Sequence, residues 1–205
     1  PRPGRGGSNT VKLKDCPALI DPKRSLLGQA QERWLAEGWD LSRSWNLLAQ
    51  QTLMARFSWL DPAEGLYWTD GWDGYAPSRN RLLQTVRDRK VPGMVTFGGD
   101  VHAHYVADLL ADYDDPRSPV VASEFCGTSI SSRGLVQERV DAALKFNPHL
   151  HHARADQRGY MAFDVDERTL QARLMAVARP EDATSEVSVA ARYAVDARQP
   201  GPQRA

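Results

Sequence analysis

A short apolar run that ends at two glycines constrains the fold of this chain more than any other segment. Residues 94–97 read Met-Val-Thr-Phe, and Gly98 and Gly99 follow at once. A run of this length and ending is typical of a buried strand that stops at a loop. We therefore predict an α/β sandwich in which Met94 to Phe97 form an interior strand, with Asp100 at its C-terminal end.

The residues after this strand carry metal-binding chemistry. Asp100, His102 and His104 lie within five residues of one another. In an extended backbone, side chains two residues apart point to the same side, so the three groups could converge on one point. Carboxylate oxygen and imidazole nitrogen together suit hard and borderline metal ions. A solvated surface loop would show the same residues, so this pattern alone leaves both interpretations open.

Charge and composition exclude some functions. The 205 residues are 41 % apolar and 25 % charged, enough for an ordinary globular core. Lys plus Arg and Asp plus Glu are equal at 26 each, so no net field draws the chain to nucleic acid or to an anionic membrane. No apolar stretch is long enough to span a bilayer. An anionic substrate would have to be attracted by a local site.

The elements on either side of the motif indicate a mixed domain. Helical spacing of apolar residues predicts helices over 23–39 and 78–90, whereas 45–54 is ambiguous between strand and helix. The aromatic-rich segment 56–77 has loop composition. Residues 119–125 repeat the buried-strand pattern. Alternating patterns with turn residues between them predict consecutive antiparallel strands over 160–165, 170–177 and 187–195.

The two ends have a different composition. Gly, Pro and charge predict a loop or linker over 1–22, and we expect a flexible tail over 198–205. The chain begins without an initiator Met or a signal-peptide pattern, which suggests a fragment or a processed piece. Cys16 and Cys126 are too few and too far apart for a disulfide framework or a four-ligand zinc site.

Six short strings with distinctive residues follow one another along the sequence. They are Leu26-Leu-Gly-x-x-Gln-x-x-Trp34, Trp45-Asn-x-Leu-Ala-Gln-Gln51, Trp72-Asp-Gly-Tyr75, Gly99-Asp-Val-His102, Glu124-Phe-x-Gly-Thr-Ser-Ile-Ser131 and Arg158-Gly-Tyr160. In order and spacing they resemble those of the alkaline phosphatase D (PhoD-like) family, over about residues 20 to 195. Gly99-Asp-Val-His102 is similar to the family's closing metal motif.

This resemblance implies a part of a calcineurin-like metallophosphoesterase β-sandwich flanked by helices, with 23–197 as the C-terminal part of the catalytic domain. It also implies hydrolysis of phosphate mono- or diesters at a metal cluster, typically iron with calcium or another divalent pair, in a periplasmic or secreted protein. Asp100 and His102 would be metal ligands.

Other polar side chains are candidates for the same site. The predicted roles are catalysis for His102 and Arg158, substrate binding for Arg79 and His104, and metal binding for Asp100, His102 and Asp73. For most of these a structural role is an open alternative: Asp73 as a helix cap, Arg79 on a solvated helix face, His104 in an exposed loop and Arg158 paired to a carboxylate. His149, His151 and His152 resemble a metal-binding tract on composition alone, and a solvated loop is favoured.

The family's earlier metal motifs are not present in these residues. Two ions cannot be held by Asp100 and His102 alone, so the resemblance implies that a missing N-terminal half is the main partner. Two alternatives stay open. One is a serine hydrolase with Ser129 as nucleophile, Asp100 as orienter and His102 or His149 as base. The other is a noncatalytic interaction module or degenerate phosphatase remnant that uses its exposed aromatics as anchors.

Overall fold

The chain folds into two packed β-sheets with helices on one side. The computed structural model describes residues 9–205 and contains three α-helices and eleven strands in that range. The helices are α1 (Gln29–Gly38), α2 (Ala76–Asp88) and α3 (Gln137–Leu144). The strands are β1 (Thr10–Lys12), β2 (Asn46–Ala49), β3 (Leu66–Trp68), β4 (Met94–Gly98), β5 (His104–Leu110), β6 (Val120–Cys126), β7 (Leu150–Arg154), β8 (Arg158–Val165), β9 (Thr169–Val177), β10 (Val187–Asp196) and β11 (Gln199–Arg204).

The first sheet positions the motif. Its strand order is β2-β4-β6-β5-β7, in which β2, β4 and β6 are parallel and β5 runs antiparallel to both of its neighbours. The strand predicted over Met94 to Phe97 is therefore confirmed as an interior strand. Asp100 follows its C-terminal end, at the edge of the sheet where the parallel strands β4 and β6 both finish.

A four-stranded antiparallel sheet, β11-β10-β9-β8, packs against the first sheet. Val95, Val106 and Phe125 of the first sheet and Leu174 and Val195 of the second belong to one buried cluster. One face of the second sheet is buried and the other is solvated, so apolar and polar residues alternate along both β9 and β10. The predicted antiparallel strands over 160–165, 170–177 and 187–195 are confirmed.

The opposite face of the first sheet is covered by helices. Leu82, Leu83 and Val86 of α2 and Val140 of α3 join a second buried cluster there, together with Tyr105 of β5. The mixed α/β fold with packed sheets and few helices agrees with the prediction. Within the described residues, no helix has the length and apolar character needed to cross a membrane.

Both ends of the described chain differ from the prediction. Residues 199–204 are not a flexible tail: they form β11, which pairs with β10 and places the amide of Gly201 against Ser123 Oγ at 3.0 Å. The backbone hydrogen bonds of the hairpin offset the low strand propensity of Gly and Pro. The loop predicted over 1–22 is interrupted by β1, which pairs with β3, and by 3₁₀ turns at Leu13–Asp15 and Pro17–Ile20. Residues 1–8 lie outside the described range.

The bounds of four internal segments also differ from the prediction. The helix expected over 23–39 begins only at Gln29, because Gly28 has a φ of 81° that a helix cannot contain. The ambiguous segment 45–54 contains β2, which covers four residues. The aromatic segment 56–77 contains β3 and a 3₁₀ turn at Trp72–Tyr75 instead of continuous loop. The helix predicted over 78–90 is confirmed, with its start two residues earlier.

Candidate metal centre

Residues 99–103, which we call the motif loop, turn the chain from β4 into β5 through a strained backbone. Asp100 has a φ of 66° and His102 a φ of 55°, two of the three non-glycine residues with positive φ in the described chain. Such conformations cost about 1–3 kcal/mol each and cluster at functional sites. The extended backbone assumed for this stretch is therefore wrong, and the side chains of Asp100, His102 and His104 do not share one face.

His102 is oriented as metal-ligating histidines are. Its Nδ1 lies 2.9 Å from the carbonyl oxygen of Arg133. Because a carbonyl can only accept a hydrogen bond, the proton sits on Nδ1, and Nε2 carries the lone pair. His102 is half-buried while Asp100 is exposed, so both polar tips can be reached from solvent.

The strand before the motif loop is held close to a neighbouring segment. Gly98 lies so near the carbonyl of Thr52 that a Cβ would collide with it, and the amide of Gly99 donates to the carbonyl of Gln51 at 3.1 Å. The thiol of Cys126 donates to the carbonyl of Gly99 at 3.3 Å. Burial, with the negative charges of Glu124 and Asp100, raises the pKa of this thiol well above its usual value. In this structure the Cys126 thiol is therefore a neutral donor that supports the motif loop.

Arg158 braces the motif loop. Its guanidinium donates to Ser132 O at 2.6 Å, to Ser129 Oγ at 2.7 Å and to His102 O at 3.3 Å, and also to the carbonyl of Ala155. All of these bonds are made by the two Nη atoms and support a structural role, and the catalytic role predicted for Arg158 stays a prediction. The partners are carbonyls and a hydroxyl, not the carboxylate considered as the alternative.

The same contacts exclude the serine hydrolase. Ser129 Oγ donates to the carbonyl of Ser132 at 2.6 Å and accepts the bond from Arg158. His102 Nδ1 faces the carbonyl of Arg133 instead of the proposed orienter Asp100, and His149 Nε2 lies 2.7 Å from the carbonyl of Arg56. In the described residues, the hydroxyl proton of Ser129 is therefore directed to a carbonyl and not to a histidine base.

His104 is buried in β5, which corrects the prediction that it binds substrate. Its exposure is 0 %, its Nδ1 accepts a bond from the amide of Thr128 at 3.2 Å, and its Nε2 lies 3.2 Å from the carbonyl of Met175. Burial lowers the pKa of His104, so its ring is neutral at pH 7. A neutral, fully hydrogen-bonded imidazole cannot pair with a phosphate.

Asp73 and Arg79 form a buried ion pair with each other, which corrects both of their predicted roles. The N–O distance is 2.6 Å, and the side chains are 9 % and 3 % exposed. Asp73 also accepts a bond from the amide of Phe57 at 2.9 Å, and Arg79 donates to the carbonyl of Met54 at 3.1 Å. The pair therefore holds the segment 54–57 against α2 instead of binding a metal or a phosphate.

Glu124 of β6 holds the same segment from the other side. Its carboxylate accepts bonds from the amides of Met54 at 2.7 Å and Ala55 at 2.6 Å. Burial raises the pKa of Glu124 to about 7, although those amides act in the opposite direction. Gln50 extends this network by accepting a bond from Trp72 Nε1 at 3.0 Å. The Glu124 string and the Trp45–Gln51 string thus build the support beneath the motif loop.

We expect Arg79→Leu to destabilise the fold by about 3–5 kcal/mol, because it leaves the carboxylate of Asp73 buried without a counter-charge. The matched control is Arg87→Leu on the same helix, where the pair with Asp88 is exposed and the change should stay within about 0.5 kcal/mol. Urea unfolding of the chain and both variants measures the difference. Equal losses for the two variants would contradict a buried pair that orders segment 54–57.

The histidines near β7 do not form a metal tract or a solvated loop. Burial lowers the pKa of His149 and of His152 to about 4, and His151 pairs with Asp108 at 2.9 Å. More broadly, among residues 9–205 no group of three or more His, Cys, Asp or Glu side chains is arranged to hold a metal ion. Asp100 and His102 thus offer donor atoms that suit a metal ion, but within the described residues they belong to no such group.

Two clefts meet at Asp100 and Trp72. One, of about 360 Å³, is lined by five aromatic side chains among other residues and is called here the aromatic cleft. The other, of about 810 Å³, runs along β2 and is called the edge cleft. The aromatic cleft was missed in the sequence because its rings come from segments separated by up to 48 positions, from Phe57 to Tyr105, without a shared period.

Comparison with known proteins decides the family. A family model described as PhoD-like phosphatase matches residues 4–174, which is most of the chain. The chain belongs to the PhoD-like phosphatase family. Within this PhoD-like chain, all six motif strings lie inside the matched range, and the motif loop contains the string that resembles the closing metal motif.

Two PhoD-like relatives extend the match. The chain is 36 % identical over 149 residues to alkaline phosphatase D of Bacillus subtilis (strain 168), a match that covers 71 % of this chain and 25 % of the relative. It is also similar to a solved structure titled "Structure of PhoD", with a TM-score of 0.87 and 28 % identity over 99 % of this chain and 39 % of that one. The chain thus spans well under half the length of either relative.

Proposed function

We propose that this PhoD-like chain supplies Asp100 and His102 to the metal centre of a phosphoesterase that hydrolyses phosphate mono- or diesters. One observation supports this above the others: both residues are held at positive φ, directly after an interior strand, with His102 Nδ1 occupied by a carbonyl. A strained backbone persists only where the surrounding structure over-determines it. The names of the family and of both relatives support phosphate ester chemistry.

The metals proposed are iron with calcium, or another divalent pair, in a calcineurin-like arrangement. Such ions would supply Lewis-acid stabilisation of the charge that develops on phosphate oxygens. The chain's own residues do the rest: the Asp100 carboxylate and His102 Nε2 act as donors, and the carbonyl of Arg133 fixes the imidazole tautomer. Arg158 keeps the motif loop in place. A periplasmic or secreted location is part of this proposal, by family resemblance.

We further propose that the remaining ligands come from a segment outside the described chain, the N-terminal half expected from the sequence. Strand β2 is the outermost strand of its sheet, so it offers an unpaired edge next to the motif loop. Leu47 of β2 is 47 % exposed and Trp34 of α1 is 69 % exposed, and both line the edge cleft. An added strand at β2 would cover these apolar side chains and approach Asp100.

The alternative of a noncatalytic interaction module has less support. It relied on exposed aromatic anchors in segment 57–75, but Phe57, Tyr67 and Trp72 are all less than 10 % exposed, and Trp59 and Trp68 are half-buried. These rings belong to the core and to the walls of the aromatic cleft.

The proposal predicts chelator-sensitive turnover. We expect a protein that joins this chain to the remaining PhoD-like domain to hydrolyse 4-nitrophenyl phosphate or its bis-ester, to lose that activity in EDTA, and to regain it with iron and calcium. Absorbance at the 4-nitrophenolate band follows the reaction, and elemental analysis counts the ions before and after chelation. Turnover that persists in metal-free protein would overturn the proposed metal centre.

A further inference from the structure

The aromatic cleft has no role in the proposed metal chemistry, although it opens beside Asp100. Asp100 and Val101 of the motif loop line one end of the cleft, and Trp59 and Trp68 line another part of its wall. Both tryptophans are only half-buried, whereas Phe57 and Tyr105 are buried behind them. The partly exposed indole surfaces are therefore available to a molecule that enters the cleft.

The rings behind the cleft hold its wall rigidly. Phe57 packs edge-on against Trp59 at 4.7 Å and against Tyr105 at 5.6 Å between ring centroids. Trp72 is fixed by its bond to Gln50. Because the wall is already ordered, binding of a planar ring does not cost the conformational entropy of ordering it. Stacking of a base or aryl ring on such a wall contributes about 1–3 kcal/mol.

A positive charge lies at the same cleft. The guanidinium of Arg139, an exposed residue of α3, lies 5.3 Å from the ring centroid of Trp59. The two acidic groups that line the cleft are Asp73, which is neutralised by Arg79, and Asp100 itself. The cleft thus offers aromatic surface to a flat apolar group and the guanidinium of Arg139 to an anionic group, and a metal ion held by Asp100 would add positive charge at the other end.

We propose that the aromatic cleft is the subsite for a planar aromatic ester group, so that the preferred substrates are aryl or nucleoside phosphates rather than esters of small aliphatic alcohols. This inference rests on the proposed function, because it needs the phosphate to lie at Asp100 and His102. The aromatic cleft has a volume of about 360 Å³, which accommodates one such group and falls within the range of small-molecule sites.

Binding to the metal-free chain tests the subsite separately from catalysis. We expect 1-naphthyl phosphate and adenosine monophosphate to shift the indole N–H resonances of Trp59 and Trp68 in ¹⁵N-resolved NMR titrations. Methyl phosphate and inorganic phosphate should shift neither. Trp45 is the internal control, because its indole N–H is bound to the carbonyl of Asp166 at 2.6 Å, away from the cleft. We expect the Kd of an aromatic ester to be about tenfold lower than that of methyl phosphate.

Variants separate ring recognition from charge. Trp59→Leu should weaken binding of 1-naphthyl phosphate about tenfold and leave methyl phosphate unchanged, whereas Arg139→Gln should weaken both esters by a similar factor. Trp34→Leu, in the edge cleft, is the matched control and should change neither. If adenosine monophosphate binds more tightly than 1-naphthyl phosphate, a nucleoside base is the preferred occupant, and the reverse order identifies a simple aryl ester.

Two results would overturn the subsite: equal binding of aromatic and methyl esters, or indole shifts that fall on Trp45 or Trp34 instead of Trp59 and Trp68. Either could occur while the joined protein still shows chelator-sensitive turnover, in which case the proposed function stands and the cleft assignment fails. Ring binding at Trp59 and Trp68 with no turnover in the joined protein would leave a ring-binding cleft, but it would overturn both the hydrolase and the assignment of this cleft as its ester subsite.

Discussion

Replacement of Asp100 by alanine is expected to lower phosphate ester turnover about a thousandfold or more in the protein that joins this chain to the remaining PhoD-like domain. Metal ions contribute several kcal/mol of transition-state stabilisation, and each 1.36 kcal/mol is a factor of ten in rate. Asp100 is exposed and lies outside both buried clusters, so its loss should not unfold the chain. Steady-state kinetics and elemental analysis on the same samples connect lost turnover to lost metal.

Two further variants make this result specific. Asp100→Asn keeps the side-chain shape and the tolerance of asparagine for positive φ, so it removes the charge without adding backbone strain. We expect it to lose activity nearly as completely as Asp100→Ala. Asp88→Ala, at the exposed end of α2, is the matched control and should retain normal turnover. Normal turnover in both Asp100 variants would contradict our central proposal.

The sequence was most informative where a local pattern determines structure. An apolar run that stops at two glycines is a local signal, and it predicted both the interior position of β4 and the location of Asp100 at its end. The alternation of apolar and polar residues in β9 and β10 is an equally local signal, because successive side chains of a strand point to opposite faces of the sheet. These parts of the fold followed from spacing without knowledge of tertiary contacts.

The roles of the site residues were harder to predict, because they depend on the conformation of the backbone that connects these residues. The expectation that His104 joins Asp100 and His102 assumed an extended chain, but positive φ at Asp100 and His102 breaks the alternation. His104 then begins β5 and points into the protein, where Thr128 and Met175 occupy its nitrogens. No pattern in the letters Gly-Asp-Val-His-Ala-His distinguishes a left-handed turn from a strand.

Buried charges were the other source of error. Asp73, Arg79 and Arg158 are residue types that bind metals and phosphates, and each lies in or near a family string. In the folded chain, Asp73 and Arg79 neutralise each other, and Arg158 donates hydrogen bonds to oxygens of the nearby loops. The sequence could not reveal this, because Arg158 meets His102 and Ser132 across 56 and 26 positions.

The second large effect concerns the chain by itself, which we expect to show no phosphatase activity. A catalytic metal commonly needs at least three protein ligands, and the described residues contain no cluster of three suitable side chains. A centre of two ions needs still more donors. The edge of β2 and the exposed Leu47 and Trp34 indicate where a covering segment would pack.

The test measures hydrolysis of 4-nitrophenyl phosphate and its bis-ester with iron and calcium added. Three samples are compared: the chain alone, the joined protein, and the chain mixed with the rest of the domain in trans. We expect turnover only in the second and third samples. Leu47→Lys should abolish the gain in trans, because a buried lysine would oppose packing at β2. Glu167→Lys, at a solvated position, is the matched control and should leave the activity gained in trans intact. Strong chelator-sensitive turnover by the chain alone would mean that its own side chains complete the centre, since the outside segment would then be unnecessary.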